Sequence, residues 1–405
     1  MSKWEEQKFG DLYLIPSRNG LTRPSSVRGA GYKFINMGEI FAYNRIGNIE
    51  TELVQLNEKE KKEMTLQKND LLFARQSLVF TGAGKCSIML DLEDVVSFES
   101  HIIRVRLNPE IANPMFYYYY FSLPYNSVKT IVQQCAQAGI RGSDLEKIKV
   151  PCPYIEIQNQ IADILSAYDD LIEANNRRIE LLEQVAQELY KEWFVRFRFP
   201  GYENAKFEDG FPKGWTIKRL ADYGRVETGK TPSTDVLENY GGEMMFVKTP
   251  DMHGNIFIIQ TEDKLSERGH NAQPKKLLPA NSIMVSCIGT AGVVSINAEP
   301  AHTNQQINSI ILNNPNELEW LYHTCKSLKD TIELFGATGA TMTNLSKGKF
   351  EKLKVVDPRE DLILEYHNKV HPLFNEIKSL MYQNQNLAAQ RDMLLPRLMS
   401  GKLEV

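Results

Sequence analysis

The sequence lacks the features of a membrane protein, a disulfide-rich protein or a strongly basic protein. Its 405 residues contain five cysteines without any C-x-x-C pair, which indicates reduced, buried thiols rather than disulfides or a zinc framework. No stretch approaches the roughly 18 consecutive apolar residues of a membrane span, and the N-terminal segment MSKWEEQKFGDL has no apolar signal region. We therefore expect a cytoplasmic protein. The net charge of -4 argues against coating of nucleic acid by bulk positive charge, while leaving room for local basic patches.

Catalytic motifs are also scarce. The segment GRVETGKT, Gly224 to Thr231, fits the phosphate-loop pattern G-x-x-x-x-G-K-[ST], which needs a buried strand before it and a helix after it. The preceding segment is polar and Pro232 follows at once, so we interpret these residues as a Gly-Pro turn; a P-loop enzyme is the alternative. NPMF at Asn113 lacks the second proline of the N-P-P-[YF] methyltransferase motif. With no catalytic triad spacing and no nuclease carboxylate pair, we predict no catalytic residue.

Two histidines raise the question of a metal site. His367 and His371 are four residues apart on a predicted helix, which places them on one face. Because no acidic or cysteine partner pattern lies near them in the sequence, we predict no metal site and no cofactor in this chain.

What the sequence does contain is an internal duplication. Trp4 and Asp11 recur as Trp215 and Asp222 at a shift of 211 residues. NDLLFARQ then aligns with NSIMVSCI, AGIRGSDL with TGATMTNL at a shift of 200, and EKIKVPCP with EKLKVVDP at a shift of 205. The shared order of these matches predicts two copies of one domain.

Each half is predicted to combine short strands with helices. The predicted strands are rich in Ile, Val and Phe: YKFINM, DLLFA and HIIRVRL in the first half, and MMFVK, SIMVSCI and INSIIL in the second. Helical segments around 114–134 and 317–335 lie between or after them, so the fold class is α/β (α+β), duplicated. The run Tyr117 to Tyr120 is interpreted as a helix packed into a core rather than a platform for base stacking.

A long helix with seven-residue periodicity follows each half and predicts an antiparallel coiled coil. Ten residues on each helix, spaced alternately by three and four, form the seam that faces the other helix. The only polar residue of the first seam, Asn175, is the fifth of its ten positions, and Asn384 is the sixth of the ten in the second helix. Antiparallel pairing therefore puts both asparagines in one layer. We expect Pro372 to break or restart the second helix and Arg391 to reach out of the seam. The seam positions are Ile161, Leu165, Tyr168, Ile172, Asn175, Ile179, Leu182, Ala186, Leu189 and Trp193, and Tyr366, Val370, Leu373, Ile377, Leu380, Asn384, Leu387, Arg391, Leu394 and Leu398.

Four segments make the whole chain resemble the DNA-specificity subunit of a type I restriction-modification system. They are PKGWTIKRLADYGRVETGKTPST, GATMTNLSKGKFEKLKV, the central helix IEIQNQIADILSAYDDLIEANNRRIELLEQVAQELYKEWFVRF and the terminal RDMLLPRLMSGKLEV. The resemblance implies that each domain reads one half of a split DNA target and that the coiled coil sets the gap. It also implies two methyltransferase subunits docked on the helices, with restriction subunits that act as motor and nuclease; S-adenosylmethionine, ATP and Mg would then be bound by these partners.

The organisation expected from the repeat and the resemblance is linear. It comprises 1–154 as the first target-recognition domain, 155–196 as the first spacer helix, 197–214 as a linker, 215–357 as the second target-recognition domain, 358–400 as the second spacer helix and 401–405 as a C-terminal tail. We expect an exposed docking surface around Trp193 and Phe194.

Base-reading residues cannot be transferred from the resemblance, because recognition domains differ where their targets differ. Polar side chains on glycine-containing turns and strand ends are the candidates, since Arg and Lys suit guanine edges and Asn and Gln suit adenine. A scaffold that joins two modules without binding DNA is the alternative function. The candidates are Arg75, Gln76, Lys85 and Arg141 in the first domain, and Lys230, Thr231, Lys248, Asn304, Gln305, Thr341 and Asn344 in the second.

Overall fold

The computed structural model describes residues 4–134, 138–336 and 344–405. Residue contacts divide the chain into two compact units, one formed by residues 1–172 with 386–405 and the other by residues 173–385. Each unit therefore holds one globular part and segments of two long helices, Ile155–Tyr190 and Glu360–Met399. In these described ranges, no helix is long and apolar enough to cross a membrane.

The first unit is built on a five-stranded sheet and a three-stranded sheet. The larger sheet has the order Tyr13–Asn19, Ile102–Leu107, Leu71–Ala74, Cys86–Met89 and Arg45–Ile46, in which the last two strands run parallel and the other neighbours antiparallel. The smaller sheet has the order Glu52–Val54, Arg28–Ile35 and Val96–Phe98. Further pairings join Glu6–Lys8 to Lys149–Pro151, and Ala138–Gly139 to both Gln76–Ser77 and Gln133–Gln134. The short helices are Met37–Ala42, Glu58–Glu63, Pro114–Ser122 and Gly142–Leu145.

The second unit repeats the strand order of the five-stranded sheet and of the smaller sheet. Its five-stranded sheet has the order Gly224–Thr228, Ile307–Leu312, Ile283–Ser286, Val294–Asn297 and Phe257–Ile258, and its three-stranded sheet has the order Lys264–Leu265, Tyr240–Val247 and Ala301–Thr303. Thr216–Arg219 pairs with Lys354–Asp357, and Phe207–Glu208 with Phe211–Pro212. The short helices are Thr249–Met252, Glu267–Asn271, Leu318–Ser327, Lys329–Gly336 and Lys347–Phe350. The predicted duplication of an α/β (α+β) domain is confirmed.

The repeat extends to single backbone conformations. Asn69 and Asn281, which the sequence alignment places opposite each other, both have left-handed backbones with φ of 71° and 63°. Each precedes a fully buried strand of its five-stranded sheet. Asparagine tolerates this conformation better than most residues, so the same residue starts the same strand in both units.

One predicted match between the halves is wrong. The Ile140 N–H donates to the Arg75 carbonyl at 2.9 Å, and the Leu345 N–H donates to the Cys287 carbonyl at the same 2.9 Å. Ile140 is therefore the counterpart of Leu345, and AGIRGSDL corresponds to a segment five residues later than TGATMTNL. The shift here is 205, as in the segment that follows, because a short match of small residues specifies register poorly.

The tyrosine run packs into the core of the first unit, as predicted. Asn113 caps the helix Pro114–Ser122 by accepting from the Met115 N–H at 2.8 Å, and the proline occupies the first turn, where its missing N–H is not needed. Three of the four tyrosines, Tyr117 to Tyr119, are buried. This helix is thus a core element and not a surface for stacking bases.

In the second unit the two long helices run antiparallel. The Asn175 side-chain amide donates to Asn384 Oδ1 at 2.8 Å, and the Tyr366 hydroxyl donates to the Ala186 carbonyl at 3.1 Å. Residue numbers therefore rise along one helix as they fall along the other. Asn175 and Asn384 share one layer, which is the alignment that the seam positions predict; a supercoil stays a prediction.

In the first unit the same two helices meet through a charged seam position. Arg391 forms an ion pair with Asp169, and Asp169 also accepts the Tyr119 hydroxyl at 2.6 Å. Leu395 and Leu398 are buried in the same core as residues of the first long helix. Arg391 is therefore held by the partner helix instead of extending into solvent alone.

The predicted break at Pro372 is wrong, because the second long helix continues through it as Glu360–Met399. A proline inside a helix removes one hydrogen bond, here the one to the Asn368 carbonyl. Asn368 and Pro372 are both exposed, so water can satisfy that carbonyl, while Val370 and Phe374 on the opposite face are fully buried. Core packing on one face offsets the lost hydrogen bond on the other.

The expected exposure of Trp193 and Phe194 is also wrong. Both belong to a π-helical segment, Lys191–Val195, that follows the first long helix, and their side chains are buried in the core of the second unit. Phe194 contacts Tyr366 with ring centroids 5.1 Å apart. These aromatic residues anchor the helix end to the second unit.

Candidate nucleic-acid interface

The four candidate residues of the first unit lie at one end of its five-stranded sheet. Arg75 and Gln76 follow the strand Leu71–Ala74, and the Ala74 N–H donates to the Lys85 carbonyl at 2.9 Å. Gln76 pairs with Gly139, and exposed Arg141 begins the next helix two residues later. Backbone hydrogen bonds thus bring together side chains that are far apart in the sequence, since Arg75 and Arg141 are separated by 66 positions.

A cavity of about 710 Å³ lies beside these residues and is lined by two lysines, Lys85 and Lys129. The Lys85 ammonium donates to the Phe41 carbonyl at 2.9 Å and lies 5.8 Å from the centroid of the Phe41 ring. The Lys129 ammonium donates to the Thr81 carbonyl at 3.0 Å. Burial lowers the pKa of both lysines. Sequence reasoning missed Lys129, because no motif distinguishes it from other lysines and only the fold places it beside Lys85.

Apolar residues are exposed at the tip next to Gln76. Leu78, Val79 and Phe80 are 88%, 60% and 44% exposed. Arg75, Gln76 and Ser77 lie immediately before them, so this tip presents polar and apolar groups together. Such a combination suits base edges, where hydrogen bonds and contacts with thymine methyl groups both discriminate.

In the second unit, three candidates meet at the equivalent end of the five-stranded sheet. The Lys230 N–H donates to the Thr303 carbonyl at 3.0 Å, and its side chain is exposed. The Thr231 hydroxyl hydrogen-bonds to the amide oxygen of Gln305, which is also exposed. Lys230, Thr231 and Gln305 therefore form one accessible polar cluster.

Two other candidates of the second unit have structural partners. The Lys248 ammonium forms an ion pair with Asp263, and this hydrogen bond raises the pKa of Lys248. Asn304 is buried and donates to the side chain of Gln306 at 3.0 Å. These contacts favour a structural role for both residues over direct contact with bases.

Of the two remaining candidates, Asn344 lies at the end of the sheet. Asn344 is exposed and forms a β-bridge with Ile288, so it lies at the same sheet end as the cluster above. Thr341 lies outside the described residues. The structural counterpart of Arg141 is Ser346, which begins the helix Lys347–Phe350 as Arg141 begins Gly142–Leu145.

The phosphate-loop pattern of Gly224 to Thr231 is explained by strand packing and requires no nucleotide site. Gly224–Thr228 forms an edge strand of the sheet instead of a turn, which corrects the interpretation of this part, and the next helical element is a single short turn, Leu237–Asn239. A Cβ atom on Gly224 would lie 2.2 Å from the Ile311 carbonyl oxygen, and one on Gly229 would lie 2.1 Å from that of Asn304. Both glycines are needed where two backbones approach closely, so the motif reflects strand packing.

His367 and His371 have an acidic partner that is distant in the sequence. Glu319, at the start of the helix Leu318–Ser327, lies 2.7 Å from Nδ1 of each histidine. No local sequence signal could have found it, because 48 residues separate Glu319 from His367.

The two sheet ends share a backbone arrangement and differ in their side chains. In the first unit Arg75 and Gln76 lie opposite Gly139 and Ile140, and in the second unit Cys287 and Ile288 occupy the positions of Arg75 and Gln76. The polar groups of the second unit come instead from the neighbouring loops that carry Lys230 and Gln305. One scaffold thus presents two different sets of donors and acceptors.

Comparisons with known proteins place this arrangement in a family. Residues 1–184 and 212–360 match the model of the type I restriction modification DNA specificity domain. The HindI specificity subunit of a type I restriction enzyme from Haemophilus influenzae is 30% identical over all of both chains. The MjaIX specificity subunit from Methanocaldococcus jannaschii is 29% identical over 66% of this chain and 63% of its own length. The crystal structure of a type I restriction-modification S subunit from M. genitalium has the same fold, with a TM-score of 0.59, 15% identity, and coverage of 98% of this chain and 96% of that one.

Proposed function

Since the chain belongs to the family of type I restriction modification DNA specificity proteins, we propose that it recognises a bipartite DNA target, each unit reading one half. The observation that carries this proposal is the pair of equivalent sheet ends with different side chains. A single scaffold that displays two different polar sets suits a target with two different halves. The scaffold function without DNA has no support in the family match.

The candidate groups have the chemistry for reading bases. In the first unit, Arg75 and Gln76 offer a guanidinium for guanine and an amide for adenine. In the second unit, Lys230 offers an ammonium, while Thr231 and Gln305 supply a hydroxyl and an amide that already hydrogen-bond each other. Such a pre-oriented pair needs less ordering when it meets a base edge.

Phosphate binding would come from the lysines beside these groups. Lys85 and Lys129 direct their ammonium groups to backbone carbonyls at the rim of one cavity in the first unit. Ammonium groups held in fixed positions contact phosphates and position the domain on the duplex, without reading sequence. The overall charge of -4 implies that partner subunits supply further phosphate contacts.

The remaining functions are assigned to partner proteins. The paired long helices set the gap between half-sites and dock two methyltransferase subunits, and restriction subunits join this complex in the cytoplasm. Adenine methylation with S-adenosylmethionine, and cleavage driven by ATP with Mg²⁺, take place on those subunits. This chain supplies recognition and assembly and has no catalytic step of its own.

The test is genome-wide mapping of methylated adenines in cells that express the chain with its methyltransferase subunit. The double variant Arg75→Ala with Gln76→Ala should relax one half of the methylated motif, and Thr231→Ala with Gln305→Ala should relax the other half. Each lost base contact should reduce discrimination by about 1–3 kcal/mol, roughly 5- to 150-fold.

The matched control is Lys68→Ala, which removes an exposed lysine at the opposite end of the same sheet, where it pairs with Asp91 at 2.8 Å. This variant should leave the motif unchanged. Relaxation of the same half by both double variants, or of neither half, would contradict the proposal.

A further inference from the structure

A cluster of one carboxylate and two imidazoles lies in the second unit, away from the candidate interface. Glu319 is on the helix Leu318–Ser327, and His367 and His371 are on consecutive turns of the second long helix. The two oxygens of Glu319 each lie 2.7 Å from one Nδ1 atom, Oε2 from His367 and Oε1 from His371. The centroids of the two imidazole rings are 4.6 Å apart.

Burial of the Glu319 carboxylate destabilises the folded protein unless a positive charge compensates it. The Glu319 side chain is completely buried, while the His367 and His371 side chains are 15% and 43% exposed. A buried carboxylate needs a partner that compensates its charge. In the described part of the chain, its ion-pair partners are these two imidazoles.

A divalent cation satisfies all three groups at once. Carboxylate oxygen and neutral imidazole nitrogen are zinc ligands, and two histidines with one glutamate form a known type of three-ligand set that leaves a fourth position open. One ligand atom from each residue lies within 4.8 Å of the others. Tetrahedral zinc needs ligand atoms about 3.3 Å apart, so the 2.7 Å contacts must open slightly when the ion enters.

The surroundings provide access and a place for the fourth ligand. Both histidines line a cavity of about 350 Å³, together with the polar residues Asn281, Ser282 and Asn316. A water molecule bound in that cavity can complete the tetrahedron. The metal would then join the helix Leu318–Ser327 to the second long helix within the same unit.

We propose that Glu319, His367 and His371 form a binding site for a zinc-type divalent cation, with its fourth position open to this cavity. The site fastens the second long helix to the globular part of the second unit. It is independent of base recognition, because its residues lie outside the sheet end that carries Lys230 and Gln305.

The experiment is equilibrium dialysis of the full chain, purified without a polyhistidine tag and stripped with a chelator, against Zn²⁺. We expect one zinc per chain and a higher thermal unfolding midpoint in its presence. His371→Ala, at a partly exposed position, should fold and should weaken zinc binding at least about tenfold, and Glu319→Gln should do the same.

The control variant is His253→Ala, which removes an exposed histidine elsewhere in the same unit and should bind zinc like the unmodified chain. The proposal is overturned if the unmodified chain binds no zinc, or if folded His371→Ala binds zinc and gains thermal stability as the unmodified chain does. In that case the cluster is a hydrogen-bonded group of two histidines and a glutamate.

Discussion

His323 is a buried histidine whose protonation opposes folding. It packs between Tyr190 and Phe374 in the core of the second unit. In the described part of the chain, its Nε2 atom has no hydrogen-bond partner. Burial, together with Lys326 and Lys191, lowers the pKa of His323 to about 3. The ring is therefore neutral in the folded protein at neutral pH.

This pKa predicts a loss of stability in mild acid. Between about pH 6.5 and pH 3, the unfolded chain binds a proton at His323 that the folded chain does not, so stability falls as pH falls. At pH 5.5 the loss from this residue is about 1.4 kcal/mol relative to pH 7.5. His323→Phe should reduce the difference between urea unfolding midpoints at pH 7.5 and 5.5. The exposed His253→Gln is the control, and equal losses in all three proteins would contradict the assignment.

Single residues were predictable where a periodic pattern fixed their position. Asn175 and Asn384 could be placed in one layer because seven-residue spacing determines which side chains face the partner helix. Glu319 and Lys129 could not be found, because their functional neighbours are brought close only by tertiary folding. Asn304 and Lys248 have the right chemistry for bases, yet the fold gives them structural partners.

The asparagine layer predicts coupled effects within the helix pair. Asn175 is buried and donates to Asn384, while the Asn384 amide donates to the exposed Asn176. Asn384→Leu leaves a buried amide unpaired and should cost about 1–3 kcal/mol of the free energy of unfolding. Asn175→Leu should cost less, because Asn384 is only partly buried and keeps its bond to Asn176.

The double variant with both leucines should cost less than the sum of the single variants, since it leaves neither partner unpaired. Urea unfolding of the four proteins in a double-mutant cycle measures this coupling. Additive costs would show that the two side chains stabilise the layer independently.

At the scale of elements, the strands were easier to predict than the continuity of the helices. Runs rich in Ile, Val and Phe predicted the strands Leu71–Ala74, Ile102–Leu107 and Ile283–Ser286 because these strands are mostly buried and consist largely of apolar residues. Pro372 was expected to end a helix because local propensity disfavours proline. The core contacts of its neighbours override that preference, and a sequence pattern does not show them.

At the scale of the whole molecule, each long helix has one part in the first unit and one part in the second unit. The divisions fall after Ile172 in the first helix and after Gln385 in the second. A seven-residue insertion at each of these points adds about 10 Å to both helices and nearly preserves the phase of the seam. We expect the gap in the methylated motif to lengthen by about three base pairs, with both halves unchanged.

Methylation mapping of the doubly extended chain measures this gap. Insertion after Ile172 alone is the control, and it should impair methylation because the two helices then differ in length. An unchanged gap in the doubly extended chain would contradict the role of the helices in spacing.

The duplicated architecture was predictable because a repeat is visible in the sequence itself. Matches in a shared order were sufficient even though each was weak, and the identical strand order of the corresponding sheets in the two units confirms the duplication. The predicted register of AGIRGSDL was wrong because a few small residues match many positions by chance. Backbone hydrogen bonds of Ile140 and Leu345 were needed to correct it.

The division of the chain into units also orders events during synthesis on the ribosome. Leu395, Leu398 and Met399 complete the core of the first unit, yet they are translated after the entire second unit. The core of the first unit, which includes Ile161 and Leu165, is therefore incompletely covered while the second unit is synthesised. Residues 173–385, which are 213 positions, emerge during this time. We expect the first unit to be prone to aggregation during that interval, because the part of the protein that is made first is the last to complete its core.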